Sequence, residues 1–186
     1  KNTKEGRAIV ERCAIAAKAR MSAKKARELT KRKSILETSG LPGKLADCSS
    51  TDPSESELFI VEGDSAAGPA KQARDSKTQA ILPIRGKIIN VQKVTENRAL
   101  QNEEISSLIK AIGTGINTEY KGEESRYDKI ILLTDADVDG AHIRTLLLTF
   151  FFKFMPGLIK EGKVWISEPP LYRAKSSGSI NYLKDD

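Results

Sequence analysis

Two acidic clusters in this chain could do chemistry. Residues 135–140 read Asp-Ala-Asp-Val-Asp-Gly, and residues 62–65 read Glu-Gly-Asp-Ser. Each follows an unbroken apolar run, Leu58-Phe59-Ile60-Val61 before the first Glu and Ile130-Ile131-Leu132-Leu133 before the first Asp. Runs of this length predict buried strands. Alternate residues of an extended segment project the same way, so Asp135 and Asp137 can converge on one point. Glu62 can face them if its strand lies alongside. Acidic groups held that close repel one another unless a cation sits between them. A few hard oxygen ligands, with further positions left to water and phosphate oxygens, suit Mg²⁺.

Other readings of the same residues fail on spacing. The D-x-D-x-D-G pattern opens an EF-hand loop, but its twelfth position would be Leu146 instead of Glu, and a strand precedes it where a helix is required. An aspartate-nucleophile phosphatase needs Thr or Val at the fifth position, which is Asp139. A hydrolase elbow G-x-S-x-G starting at Gly63 would need a second glycine at Ala67. Capping of the following helix accounts for one of the three aspartates, since carboxylates are favoured at helix N-termini, and not for all three. The single histidine, His142, lies beside the acidic run, and spacing alone does not choose between a ligand, a DNA contact and a helix-start residue.

These residues need a frame. A long helix is predicted over 5–33, Ala-rich and without proline, and broken by Gly40-Leu41-Pro42-Gly43. Strands are expected at 58–61, 79–84, 88–91, 129–134 and 163–167. Helices are expected at 65–74, 103–112 and 143–159, with Pro69 in the first turn of the first of these. Apolar strands separated by helices imply a parallel sheet covered on both faces, an α/β fold in which sites collect at the carboxyl edge of the strands. Three segments follow: a basic helix and linker over 1–44, an α/β domain over 45–175, and the start of a further tail over 176–186.

Charge sharpens the division. Of 31 Lys+Arg and 25 Asp+Glu in 186 residues, residues 1–44 hold 13 and 4, a net +9, leaving −3 for the remainder. A basic balance suggests nucleic acid, while the slightly acidic remainder is where the carboxylate clusters lie. No apolar run approaches the ~20 residues of a membrane span, so no membrane role is expected. Cys13 and Cys48 fit neither a disulfide framework nor a zinc site, which points to a reducing, cytoplasmic setting. The start carries no signal peptide and no initiator Met, so a fragment of a longer chain is expected.

Glu62-Gly63-Asp64-Ser65-Ala66, Pro83-Ile84-Arg85-Gly86-Lys87 and Asp135 to Gly140, in that order, resemble the three signature motifs of the Toprim domain in the B subunits of bacterial type IIA topoisomerases, gyrase or topoisomerase IV. The stretches 41–48, 113–115 and 169–172 support the likeness, which covers nearly the whole chain. It implies a Toprim (Rossmann-like) fold that binds Mg²⁺, with Mn²⁺ or Ca²⁺ as substitutes. It also implies work on double-stranded DNA together with a partner A subunit, in an A2B2 assembly, that carries the cleaving tyrosine. By resemblance, Glu62 is the general acid and base and a metal ligand, Asp135 and Asp137 are metal ligands, and Asp139 assists. Arg85, Lys87 and His142 become DNA contacts, and Asp64, Arg85 and Glu104 line a fluoroquinolone-type drug pocket. ATP would be used only by an ATPase domain whose Gly-rich motif does not occur here. The family setting is the bacterial cytoplasm, at the nucleoid. Residues 66–69 read Ala-Ala-Gly-Pro where relatives carry Ala-Gly-Gly-Ser. A stand-alone Toprim nuclease or primase and a non-catalytic adaptor remain as rivals.

Overall fold

The computed structural model describes residues 3–31, 41–176 and 178–183. Its centre is a four-stranded, all-parallel sheet in the order β2-β1-β3-β4, formed by β1 (Glu57–Glu62), β2 (Gln79–Ile84), β3 (Lys129–Leu133) and β4 (Val164–Ile166). The register pairs Leu58 with Ala80 and Ile130, and Val61 with Pro83 and Leu133. Such strands are apolar on both faces because both faces are covered.

The strand alternation sorts the core into two sides. Leu58, Ile60, Ala80, Leu82, Ile130 and Leu132 join the larger cluster. Val61 and Ile81, with Phe59 and Leu133, meet Ala66, Ala67 and Ala70 of α2 (Gly63–Ala73) on the other side. The larger face is roofed by α3 (Glu96–Gln101), α4 (Glu103–Ile112), α5 (Val138–Phe154) and α6 (Pro156–Lys160). In α4, Ile105, Leu108, Ile109 and Ile112 recur at helical spacing and are buried. Asn102 caps its start by accepting from the N–H groups of Glu104 and Ile105, and Gly113 ends it with φ of 85°.

The chain leaves β1 through α2 to β2 on one side, then returns across the sheet through α3 and α4 to β3 on the other. The winding direction therefore reverses between β1 and β3. A reversal of this kind is where open α/β sheets place their sites, at the carboxyl ends of the two strands.

Several expectations are corrected in detail. Residues 88–91 form no strand, because Asn90 accepts from the Gln92 N–H and starts a 3-10 turn, Val91–Lys93. The helix expected at 143–159 begins at Val138 and stops at Phe154. Met155 precedes Pro156, whose ring disfavours helical backbone at the residue before it, and adopts φ −136° and ψ 50°. Pro69 lies in the second turn of α2, not the first, since that helix starts at Gly63. An antiparallel hairpin follows, β5 (Tyr172–Ser176) with β6 (Ser179–Leu183), where only a tail was expected; both of its faces are exposed. The N-terminal helix α1 (Thr3–Lys31) is present, and residues 32 and 33 of that expectation lie outside the described residues. Its Ile9, Val10 and Ile15 are exposed.

Residues 41–50 strap the outer edge of β2. Ala46 and Ile81 exchange backbone hydrogen bonds of 2.9 Å, and Arg74 Nη1 donates to the carbonyls of Ala46, Asp47 and Gln79. Asp47 accepts from the buried Tyr127 hydroxyl at 2.7 Å and from Arg126. Burial, then the Asp47 charge, pushes the Tyr127 hydroxyl above the ordinary tyrosine value. Tyr127→Phe is expected to cost about 1.5–3 kcal/mol, the range for a hydrogen bond to a charged group, measured by urea unfolding at pH 7. Because the folded value is raised, this contribution is full below pH 10 and is lost as pH rises beyond it. The Phe variant should therefore lack part of the alkaline destabilisation of the parent protein.

Candidate metal and DNA site

At the carboxyl ends of β1 and β3 the structure brings together the residues singled out by their spacing. Glu62 is the last residue of β1, and Gly63, at φ 73°, turns the chain sharply into α2. Loss of solvent raises the Glu62 carboxyl above the ordinary glutamate value. The Asp135 backbone amide pulls the other way, and the charges of Asp135, Asp137 and Asp139 add to the rise. All three aspartates therefore act on Glu62 through space.

The three aspartates have different work. Asp137 caps α5, its Oδ1 accepting from the Gly140 N–H at 2.7 Å, so the capping role applies to one of the three. Gly140 is buried against the backbone of Asp135, and a Cβ there would stand 2.9 Å from the Asp135 nitrogen and inside contact distance of its carbonyl oxygen. The Asp135–Gly140 loop is tight because residue 140 has no side chain. Asp139 pairs with Lys87 at 2.6 Å, and that hydrogen bond and charge hold its carboxyl below the usual carboxylate range, with His142 adding a smaller effect.

Lys87 and Arg85 flank Gly86, at φ 64°, in the loop after β2; that loop leads to a 3-10 turn and not to another strand. Arg85 Nε lies 2.9 Å from Asp64 Oδ2, and both side chains are exposed. His142 is exposed on the first turns of α5. Glu104, at the start of α4, pairs with Lys44 with only 13% of its side chain exposed. The structure thus joins Asp64 to Arg85, while it ties Glu104 to the strap.

Among the described residues, no three or more His, Cys, Asp or Glu side chains stand close enough to enclose a metal ion. The chemistry of the donors is that of Mg²⁺ ligands, since Mg²⁺ is commonly held by one or two carboxylates with waters and substrate phosphates completing its shell. A second observation favours the fit. Glu62 Oε2 is buried without a hydrogen-bond partner among the described residues, and a buried carboxylate oxygen left so requires compensation. Two residues here carry no distinct sequence signal. Gly140 stands out only as the end of a motif, and Thr134 only as the polar residue closing an apolar run.

A parallel α/β sheet with acidic residues on adjacent strand ends, at the point where its winding reverses, is an architecture of the Rossmann-like class. The chain belongs to the Toprim domain family, which matches residues 57–169. It is 61% identical over 180 residues to the type 2 topoisomerase B subunit of Aquifex aeolicus, covering 97% of this chain and 23% of that protein. It is 58% identical over 185 residues to the DNA gyrase B subunit of Staphylococcus epidermidis, covering 100% and 29%. With the DNA gyrase B subunit of Rickettsia typhi it shares 58% over 182 residues, covering 98% and 23%. The chain thus spans about a quarter of the length of these relatives. No helix among the described residues is long and apolar enough to cross a membrane.

Proposed function

We propose that this chain is the Mg²⁺-binding half of the DNA cleavage and religation centre of a bacterial type IIA topoisomerase, a gyrase B subunit, acting with a tyrosine on a partner A subunit. The observation that carries this reading is Glu62, half-buried at the switch point with a raised carboxyl, facing Asp135, Asp137 and Asp139 from the adjacent strand end. Glu62, Asp135 and Asp137 would hold the ion, one or two of them directly and the rest through its waters, with Asp139 assisting. When bound, Mg²⁺ neutralises charge on the phosphate and beside the leaving oxygen. The tyrosine oxygen attacks phosphorus, the bond to the 3′ oxygen breaks, and the 5′ phosphate stays on the tyrosine. Glu62 would give a proton to the departing 3′ oxygen and take it back on resealing, and loss of solvent makes its carboxyl hold a proton more readily than a free glutamate.

Lys87 and Arg85 sit on the loop beside this edge and suit backbone phosphates, which position DNA without reading its sequence. Their partners Asp139 and Asp64 are solvent-exposed, and exposed ion pairs are worth little, so a phosphate can displace them. Lys87→Ala is expected to lower the slope of log K against log salt by about 1, read by DNA-binding titration at several salt concentrations. An unchanged slope removes Lys87 from the contact set.

The test is reconstitution of the full-length protein with a tyrosine-bearing A subunit on plasmid DNA. Mg²⁺ should give double-strand cleavage with protein joined to the 5′ ends, EDTA should abolish it, and Asp135→Asn and Asp137→Asn should suppress it. ATP-driven negative supercoiling would mark a gyrase, and relaxation alone a topoisomerase IV. DNA cutting without any tyrosine partner would overturn the proposal in favour of a nuclease.

A further inference from the structure

We infer that Thr134 is a positioning residue for Glu62, its hydroxyl tied to that carboxylate through one shared buried water. Thr134 follows β3 immediately and is 3% exposed. Its Oγ1 and Glu62 Oε2 are the two buried side-chain polar atoms without a protein partner among the described residues. Their coincidence is spatial as well. Val61 pairs with Leu133, so the same register carried one step further sets Glu62 opposite Thr134. Leu58 and Ile60 of β1 face the same core as Ile130 and Leu132 of β3, and the alternation sends Glu62 and Thr134 to that side too. Neighbouring strands lie about 4.8 Å apart.

Leaving one such group unmet costs its full desolvation. Two on adjacent strand ends, facing the same way and not bonded to each other, have the spacing for one water between them. A buried water typically makes about three hydrogen bonds. Here the Thr134 hydroxyl donates to it, it donates to Glu62 Oε2, and its second proton points toward the acidic loop. The water takes one lone pair of Glu62 Oε2 and fixes the carboxylate, leaving the other lone pair for the ion. This inference rests on reading the site as a Mg²⁺ site, and it adds a residue to the machinery that orients its ligands.

Thr134→Val keeps the shape of the side chain and removes the hydroxyl. In the full-length protein, the melting temperature in EDTA is expected to fall, because the shared water and the Glu62 oxygen behind it lose a hydrogen-bond partner. Mg²⁺ affinity, measured from metal-induced thermal stabilisation, is expected to fall about tenfold, the lower end for loss of a group that orients a ligand. Thr134→Ser should restore it. In a Glu62→Gln background, Thr134→Val should cause no additional loss. Wild-type Mg²⁺ affinity in Thr134→Val, failure of Ser to rescue, or an equal loss in the Glu62→Gln background would each overturn the role of Thr134. Wild-type Mg²⁺ affinity in Glu62→Gln alone would instead overturn the metal reading beneath it.

Discussion

Glu62→Gln is expected to lower Mg²⁺-dependent DNA cleavage by roughly 10²–10⁴-fold in the assembled enzyme, the usual contribution of a positioned general acid and base. Gln keeps the size of the side chain but can neither give nor take the proton at the 3′ oxygen, and it is a weaker ligand. The loss should appear in both cleavage and religation, because the same group serves both directions. Stability should move the opposite way. The folded protein raises the Glu62 carboxyl, so it favours the protonated form, and the ionised form opposes folding at neutral pH. The favourable contribution is complete below the ordinary glutamate value and is lost as pH rises through the raised one. In EDTA, therefore, Glu62→Gln should melt higher than the parent at pH 7, with the difference closing as the pH is lowered toward 4. Thermal melts across that range check the sign, and cleavage that survives in the Gln variant would remove Glu62 from its proposed role.

Gly140→Ala is expected to destabilise the protein by about 1–3 kcal/mol, the range for overpacking, although the position is helical. Helix propensity alone predicts the reverse, since Ala is better than Gly inside a helix by about 1 kcal/mol. The difference lies in what the new Cβ meets. At 140 it presses on the backbone nitrogen and carbonyl of Asp135, which cannot swing aside as a long side chain could. At Gly6 in α1 a Cβ meets nothing within 4 Å, so Gly6→Ala should show the propensity gain. Opposite shifts of the two variants in urea unfolding would establish the close approach. Because the displaced backbone carries Asp135, Gly140→Ala should also weaken Mg²⁺ binding, whereas Gly6→Ala should not affect it.

The strands at 58–61 and 129–134 are legible in the sequence because a residue run buried on both faces must be apolar throughout. The acidic residues behind them stand out against it. Helix 103–112 forms over the expected residues, with Ile105, Leu108, Ile109 and Ile112 buried at helical spacing and Asn102 capping its start. The strand expected at 88–91 fails because Asn90 supplies its own turn, a local side-chain bond that overrides the apolar pattern of Ile88, Ile89 and Val91. The start of α5 lies ahead of the expected Ile143, since the exposed Val138-Asp139 turn carries no apolar periodicity and only the Asp137 cap defines it. The hairpin after Pro170 gives little signal, as its residues have no buried face to impose alternation.

What the amino-acid order determines by itself is the set of reactive groups and their local geometry: carboxylates at two strand ends, a basic loop, and helices enough to cover a parallel sheet. Tertiary structure alone decides that β1 and β3 are neighbours, because strand order depends on how the crossovers wind and not on any one segment. From that neighbourhood follow the rise in the Glu62 carboxyl, the pairing of Lys87 with Asp139 across two loops, and the meeting of Glu62 with Thr134 on one face. Each depends on distances between residues far apart in sequence, and those distances exist only once the sheet has formed.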